Sequence, residues 1–243
     1  MDTTEKTDTT EIKKRLGHTV ADQFVTSGMK IGLGTGSTAI HAVRRIGSRI
    51  ADGTLRDILA VPTSFESTLE AQKYGIPLRS MNDPDIGGSL DIAIDGADEV
   101  DRNTLYLIKG GGGALTQEKM VEYRAGLLIV IVDESKISDQ LGMVFPVPVE
   151  CIPDARVVVA RDMERLGGRP LLRMAQKKAG PVVTDNGNLI LDVHFDTPTF
   201  DAAELERTIN TIPGVLENGL FTVVPRRVFV GRSDGTIEEL VSR

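Results

Sequence analysis

The chain has 243 residues, 40% of them hydrophobic and 26% charged, with a net charge of −7; that allows one large or two modest domains and argues against a broad nucleic-acid footprint. No apolar run approaches the roughly 18 residues of a membrane span, and the polar start MDTTEKTDTT lacks the basic and apolar parts of a signal peptide. A single cysteine, Cys151, excludes an internal disulfide and suits a reducing cytoplasm.

From Glu11 to Ser27, apolar Ile12, Leu16, Val20, Phe24 and Val25 recur at helical spacing. MKIGL reads as a short strand, and GLGTGSTA turns into a second helix. DILAVPTS is another strand, FESTLEAQKYG a helix, and DIAID a strand that stops at Asp95. After four consecutive glycines, ALTQEKMVEY reads as a helix and LLIVIV as an uninterrupted apolar strand. Such strands alternating with helices predict a parallel α/β sheet, whose ligands sit at the strands' carboxyl ends.

Near Phe145 the pattern changes. VFPVPVE, DARVVVARDMERL, RPLLRM, NLILDVHFD, AAELERTIN and GVLENGLF read as strand, helix, two strands, helix and strand, the ferredoxin-like order. RRVFVGRSDGTIEEL closes the chain with a hairpin turning at Ser233-Asp234-Gly235. The expected division is an α/β domain of residues 1–143 plus 221–243, interrupted by a small α+β domain of residues 144–220.

Four stretches carry chemistry. In GLGTGSTA, glycines admit an anion to the backbone, and the helix amides with the Ser37 and Thr38 hydroxyls can bind phosphate. The strand ending Val61-Pro62-Thr63-Ser64 lacks the acid that a dinucleotide ribose needs, with Glu66 already in the next helix, and no Walker lysine follows the turn. A sugar phosphate fits better than NAD or ATP. In DGADEVD, Asp95 and Asp98 can hold sugar hydroxyls, hold a metal or move protons; an acidic surface turn is the plain alternative. LIKGGGGALTQEK sets Lys109 and Glu118 on either side of a run of bare backbone, where an ammonium can stabilise an oxyanion while a carboxylate moves a proton. The competing account makes Glu118 and Lys119 a solvated helix face. In VDESK, Lys136 can pair with a phosphate and Asp133 can orient it; a surface turn is the plain alternative.

Other candidates carry less. Asp192, His194 and Asp196 alternate along one strand, a spacing for a metal trio but more often the wet face of a half-buried strand. His18 and His41 have no partners at metal-ligand spacing, and Cys151 has no neighbouring base and reads as structural.

In their order and spacing these stretches resemble the type A ribose-5-phosphate isomerase family, over nearly the whole chain from EIKKRLG to PGVLENGLF. The resemblance implies a Rossmann-like parallel-sheet domain with a ferredoxin-like α+β lid domain, no metal or redox cofactor, and a homodimer or homotetramer acting on a small sugar phosphate, without nucleic acid or membrane. It implies Glu118 as the proton acceptor, with catalytic support from Asp95, Asp98 and Lys109. Substrate contacts fall on Thr35, Gly36, Ser37 and Thr38, on Asp95, Gly96, Ala97 and Asp98, on Lys109, Gly110, Gly111 and Gly112, and on Lys136 and Lys13. Gly113 stands where many members have alanine. The alternative is a non-catalytic sugar-phosphate sensor, although about thirty residues before the first strand are too few for a DNA-binding module.

Overall fold

A computed structural model describes residues 9–196, 199–223 and 226–241. In chain order the first elements are α1 (Thr9–Phe24), β1 (Lys30–Leu33), α2 (Gly36–Ala51), β2 (Leu59–Pro62), α3 (Phe65–Lys73) and β3 (Leu90–Asp95). Then come β4 (Glu99–Asp101), β5 (Leu107–Ile108), α4 (Leu115–Glu122), β6 (Ala125–Asp133) and β7 (Ile137–Ser138). The last are β8 (Val147–Cys151), α5 (Arg156–Arg165), β9 (Arg169–Leu172), β10 (Leu189–His194), α6 (Ala202–Asn210), β11 (Val215–Asn218), β12 (Leu220–Phe221), β13 (Arg226–Gly231) and β14 (Ile237–Leu240).

The chain divides into two compact units. Of the described residues, one takes those up to Gly96, Met120–Lys136 and the last two strands; the other takes Ala97–Lys119 and those from Ile137 to Val223. The first is built on a six-stranded sheet ordered β14-β13-β6-β3-β1-β2, parallel except for the edge pair β13–β14. Its parallel strands run in the order β2-β1-β3-β6-β13, so the connection reverses direction between β1 and β3, the position where open α/β sheets bind ligands. The β6 residues from Leu128 to Val132 are buried in succession, as a strand covered on both faces requires. Ile12, Leu16 and Val20 form the buried stripe of α1, and the core joins Leu16 and Val20 to Ile31, Ile46, Ile94, Ile129 and Phe229.

The second unit contains the βαββαβ run β8-α5-β9-β10-α6-β11. Its antiparallel sheet is ordered β11-β8-β10-β9 around a core of Val147, Val149, Val159, Met163, Leu191, Val193, Leu205 and Ile209. The same unit holds a further small sheet, β12-β5-β4-β7. This sheet places the unit boundary elsewhere than the sequence reading does. β4, β5 and β7 pair with each other and with β12, so residues 97–119 and 137–143 pack with the second unit rather than the first. It also divides GVLENGLF into two strands, because β11 joins β8 while β12 joins β5. Among the described residues, no helix is long and apolar enough to cross a membrane.

Candidate active site

In the first unit the turn after β1 is fixed by Asp95. Its Oδ1 accepts hydrogen bonds from the amides of Thr35 at 2.9 Å and Gly96 at 2.7 Å, while Gly34 N donates to Ile94 O. A Cβ on Gly34 would sit 2.2 Å from that same Oδ1, so only glycine lets the carboxylate approach the turn this closely. The Thr35 hydroxyl reaches Thr63 Oγ1 at 2.8 Å and Ser64 Oγ at 2.7 Å, which ties the end of β1 to the end of β2. Gly36 starts α2 with φ +93°. Beyond it Ser37 is exposed and Thr38 buried.

Lys13 of α1 arrives at the same place. Its Nζ donates to Ser37 Oγ at 3.0 Å and lies 3.6 Å from Asp133 Oδ2 at the end of β6. Burial opposes ionisation of Asp133, but the Ser135 hydroxyl, the Lys13 ammonium, the Ser135 amide and Lys136 together hold its carboxyl below the usual range. Thus Thr35 to Thr38, Asp95, Gly96, Asp133 and Lys136 lie at or just past the carboxyl ends of β1, β3 and β6, and Lys13 reaches Ser37 and Asp133 from α1. Sequence reasoning left Glu66 aside, yet its Oε2 accepts from Gly36 N at 3.2 Å. A carboxylate on that amide marks the first turn of α2 as an anion position.

In the second unit the glycine run forms a tight turn between β5 and α4. Gly110 and Gly113 take φ of +103° and +82°, and Gly113 N donates to Gly110 O. Asp98 Oδ2 accepts from Gly111 N at 2.6 Å, and a Cβ on Gly111 would lie 2.4 Å from that carboxylate. The turn returns the chain so that Lys109 Nζ and Glu118 Oε2 stand 3.7 Å apart, their side chains only 3% and 7% exposed. Lys109 also lies over the Phe221 ring, 5.6 Å from its centroid. Asp95 and Asp98, three positions apart in one motif, therefore serve different turns, one in each unit.

The solvated-face account of Glu118 and Lys119 does not survive. Lys119 is buried, its Nζ 2.9 Å from both Glu206 Oε1 and Glu217 Oε1 and 4.8 Å from the Phe221 centroid. On the same helix Thr116 donates to the buried Glu150, which also accepts from Thr184 and Asn188. Residues on both sides of Glu118 are thus anchored, which holds its backbone in place. The proposed trio of Asp192, His194 and Asp196 also dissolves: Asp192 pairs with Arg173, whose Nη1 donates to the carbonyls of Gly110 and Gly111. Among the described residues, no group of histidine, cysteine, aspartate and glutamate could hold a metal ion. Glu99, within DGADE, is structural: buried, it accepts backbone hydrogen bonds from Gly142, Met143, Val144 and Phe145. Cys151 is buried in β8, and that burial raises its thiol.

A parallel sheet with an anion-ready turn at its switch point, together with a secluded ammonium–carboxylate pair, defines an α/β enzyme. A family model described as Ribose 5-phosphate isomerase A (phosphoriboisomerase A) matches residues 59–235. A Ribose-5-phosphate isomerase A from Synechococcus sp. is 53% identical over 228 residues, covering 93% of this chain and 95% of the relative. The solved ribose 5-phosphate isomerase A of Methanocaldococcus jannaschii is 46% identical with a TM-score of 0.89, over 97% of this chain and 100% of that one. A D-ribose-5-phosphate isomerase solved in complex with phospho-erythronic acid is 42% identical with a TM-score of 0.90, over 98% and 100% of the two chains. The chain belongs to the ribose 5-phosphate isomerase A family.

Proposed function

We propose that this enzyme interconverts D-ribose 5-phosphate and D-ribulose 5-phosphate through an enediolate, in the non-oxidative branch of the pentose phosphate pathway. Glu118 acts as the single base. It takes the proton from C2 of the open-chain aldose, the C2–H electrons form the C1=C2 double bond, and the carbonyl π electrons move onto O1. Lys109 stabilises the charge on O1 as an oxyanion partner. Loss of the O2–H proton makes O2 the new carbonyl, the double-bond electrons take the proton from Glu118 at C1, and O1 is protonated. The observation that carries this reading is the buried Lys109–Glu118 pair at 3.7 Å beside bare glycine backbone.

The phosphate is assigned to the first turn of α2, with Ser37, Thr38, Lys13 and Lys136 as partners; there it displaces the Glu66 carboxylate from the Gly36 amide. Asp95 and Asp98 hold sugar hydroxyls, and one of them moves the O1/O2 proton. Anchoring a phosphate at a fixed point is where an enzyme gains most from remote contacts. We place the enzyme in the cytoplasm as a homo-oligomer. The test is to incubate the protein with ribose 5-phosphate in the presence of EDTA. Ketose should form at an undiminished rate. Binding without ketose would return the sensor reading, and a need for added metal would overturn the proton-transfer mechanism.

A further inference from the structure

We infer that a hollow on the first unit, lined by Lys14 and His18 of α1 and by His41, Arg44 and Arg45 of α2, binds the phosphate group of a small molecule. The hollow measures about 340 Å³ and is also lined by the Ser48 hydroxyl and Tyr74. It lies along the middle of the two helices, away from the α2 N-terminus where Lys13 meets Ser37.

Close packing of the helices builds it. A Cβ on Gly17 would lie 2.7 Å from Ala42 N and 2.8 Å from His41 Cβ, so α1 and α2 touch backbone to backbone there and bring His18 and His41 to one place. Further along, a Cβ on Gly47 would lie 2.3 Å from Tyr74 Cβ, which seats Tyr74 against α2.

The charges around it do not balance. Glu70 is shared by Arg44 Nε at 2.6 Å and Lys73 Nζ at 2.7 Å. Asp22 is shared by Arg45 Nε at 2.8 Å and Arg49 Nε at 3.7 Å. Each of these carboxylates answers two cations, and Asp52 adds a further Coulombic pull on Arg45 and Arg49. Counting Glu11, four carboxylates face the five cations Lys14, Arg44, Arg45, Arg49 and Lys73, and none of the four lines the hollow. Lys14 has Glu11 at 3.8 Å, but that pair is exposed on both sides and holds little. A positive surplus on a chain of net charge −7 is what an anion site requires.

The imidazoles respond to this field. His18 is lowered by burial, then by Arg45 and Lys14, against the opposing pull of Asp22 and Glu11. His41 is lowered by burial, then by Arg44, His18, Lys14 and Lys13. An anion in the hollow would reverse the Coulombic part for both. Guanidinium groups, with a hydroxyl and two imidazoles able to donate, suit phosphate oxygens.

The chain has three histidines, so His194 on β10 serves as an internal reference. Imidazole resonances of ¹³C-histidine-labelled protein should be followed against pH with inorganic phosphate, with glycerol 3-phosphate, and with chloride at matched ionic strength. Either phosphate compound should raise the pKa of His18 and His41 saturably by about one unit, the scale of a nearby opposite charge, leaving His194 unmoved. An equal response to both compounds assigns free phosphate as the ligand, and tighter binding of the ester assigns a phosphorylated metabolite. Arg45→Gln, and Arg44→Ala combined with Arg45→Ala, should abolish the response while His194 keeps its native shift. An equal effect of chloride, an unsaturable response, or variants that respond like the parent would overturn the site.

Discussion

After β1, Gly34 lets Asp95 reach the Thr35 amide, and the helix that follows leaves Ser37 exposed beside Lys13. After β5, Gly111 lets Asp98 reach its amide in the same manner, yet the helix that follows buries Glu118 against Lys109. The two turns share a device, a missing Cβ that admits a carboxylate to the main chain, and differ in what the next helix does with charge. The first presents amides, hydroxyls and an ammonium where an anion can arrive from water. The second withdraws an acid and a base from water, where electrostatic interactions are strongest. In the proposed mechanism binding and proton transfer fall to separate pieces of chain, and substitutions should separate them.

Glu118→Gln carries the largest expected effect. Turnover should fall by about 10²–10⁴-fold, the worth of a general base, with little change in KM; a parental rate would remove Glu118 from the chemistry. Lys109→Ala should lower kcat by about 10²–10³-fold, as loss of one oxyanion donor does, and should also lower the melting temperature, because a buried carboxylate loses its ammonium. Combining Lys109→Met with Glu118→Gln should recover the stability without the activity. If it recovered turnover, the pair would be structural alone.

Substitutions at the first turn should act on affinity. Lys13→Ala should raise KM roughly ten- to a hundredfold, the worth of a hydrogen bond to a charged group, and leave kcat near the parental value. A loss confined to kcat would erase the contrast between the turns. The smallest effect concerns acid stability. With its pKa held below the ordinary 3.8, Asp133 contributes stability that is present above that value and lost as pH falls through the folded one, since the unfolded chain takes up the proton first. Removing Lys13 should narrow this margin, so the acid unfolding midpoint should move to higher pH.

The parallel sheet was legible because LLIVIV and DIAID are apolar runs ending at chemistry, and the βαββαβ run because its periods change from element to element. The pairing of Lys109 with Glu118 followed from the glycines, which make sense only if the chain folds tightly back. The small sheet was not legible. LYLIK reads as a strand, but a three-residue strand such as Glu99–Asp101 is too short to show a period, and that hid the pairing of the small sheet, the split of GVLENGLF and the packing of residues 97–119 with the second unit. Glu66 and Glu150 were missed for another reason. Their partners lie 30 and 34 residues away in sequence, and an isolated glutamate in a string gives no sign of whether its carboxylate will face water or a turn of backbone.

The most direct measurement is isotope exchange in D₂O, following deuterium entry at C1 of ribulose 5-phosphate by NMR for the parent and for Glu118→Gln at saturating substrate. Deuterium should accumulate at C1 over many turnovers of the parent, and its entry should slow in the variant by the same factor as turnover. A variant that exchanges and turns over as fast as the parent would contradict proton transfer by Glu118.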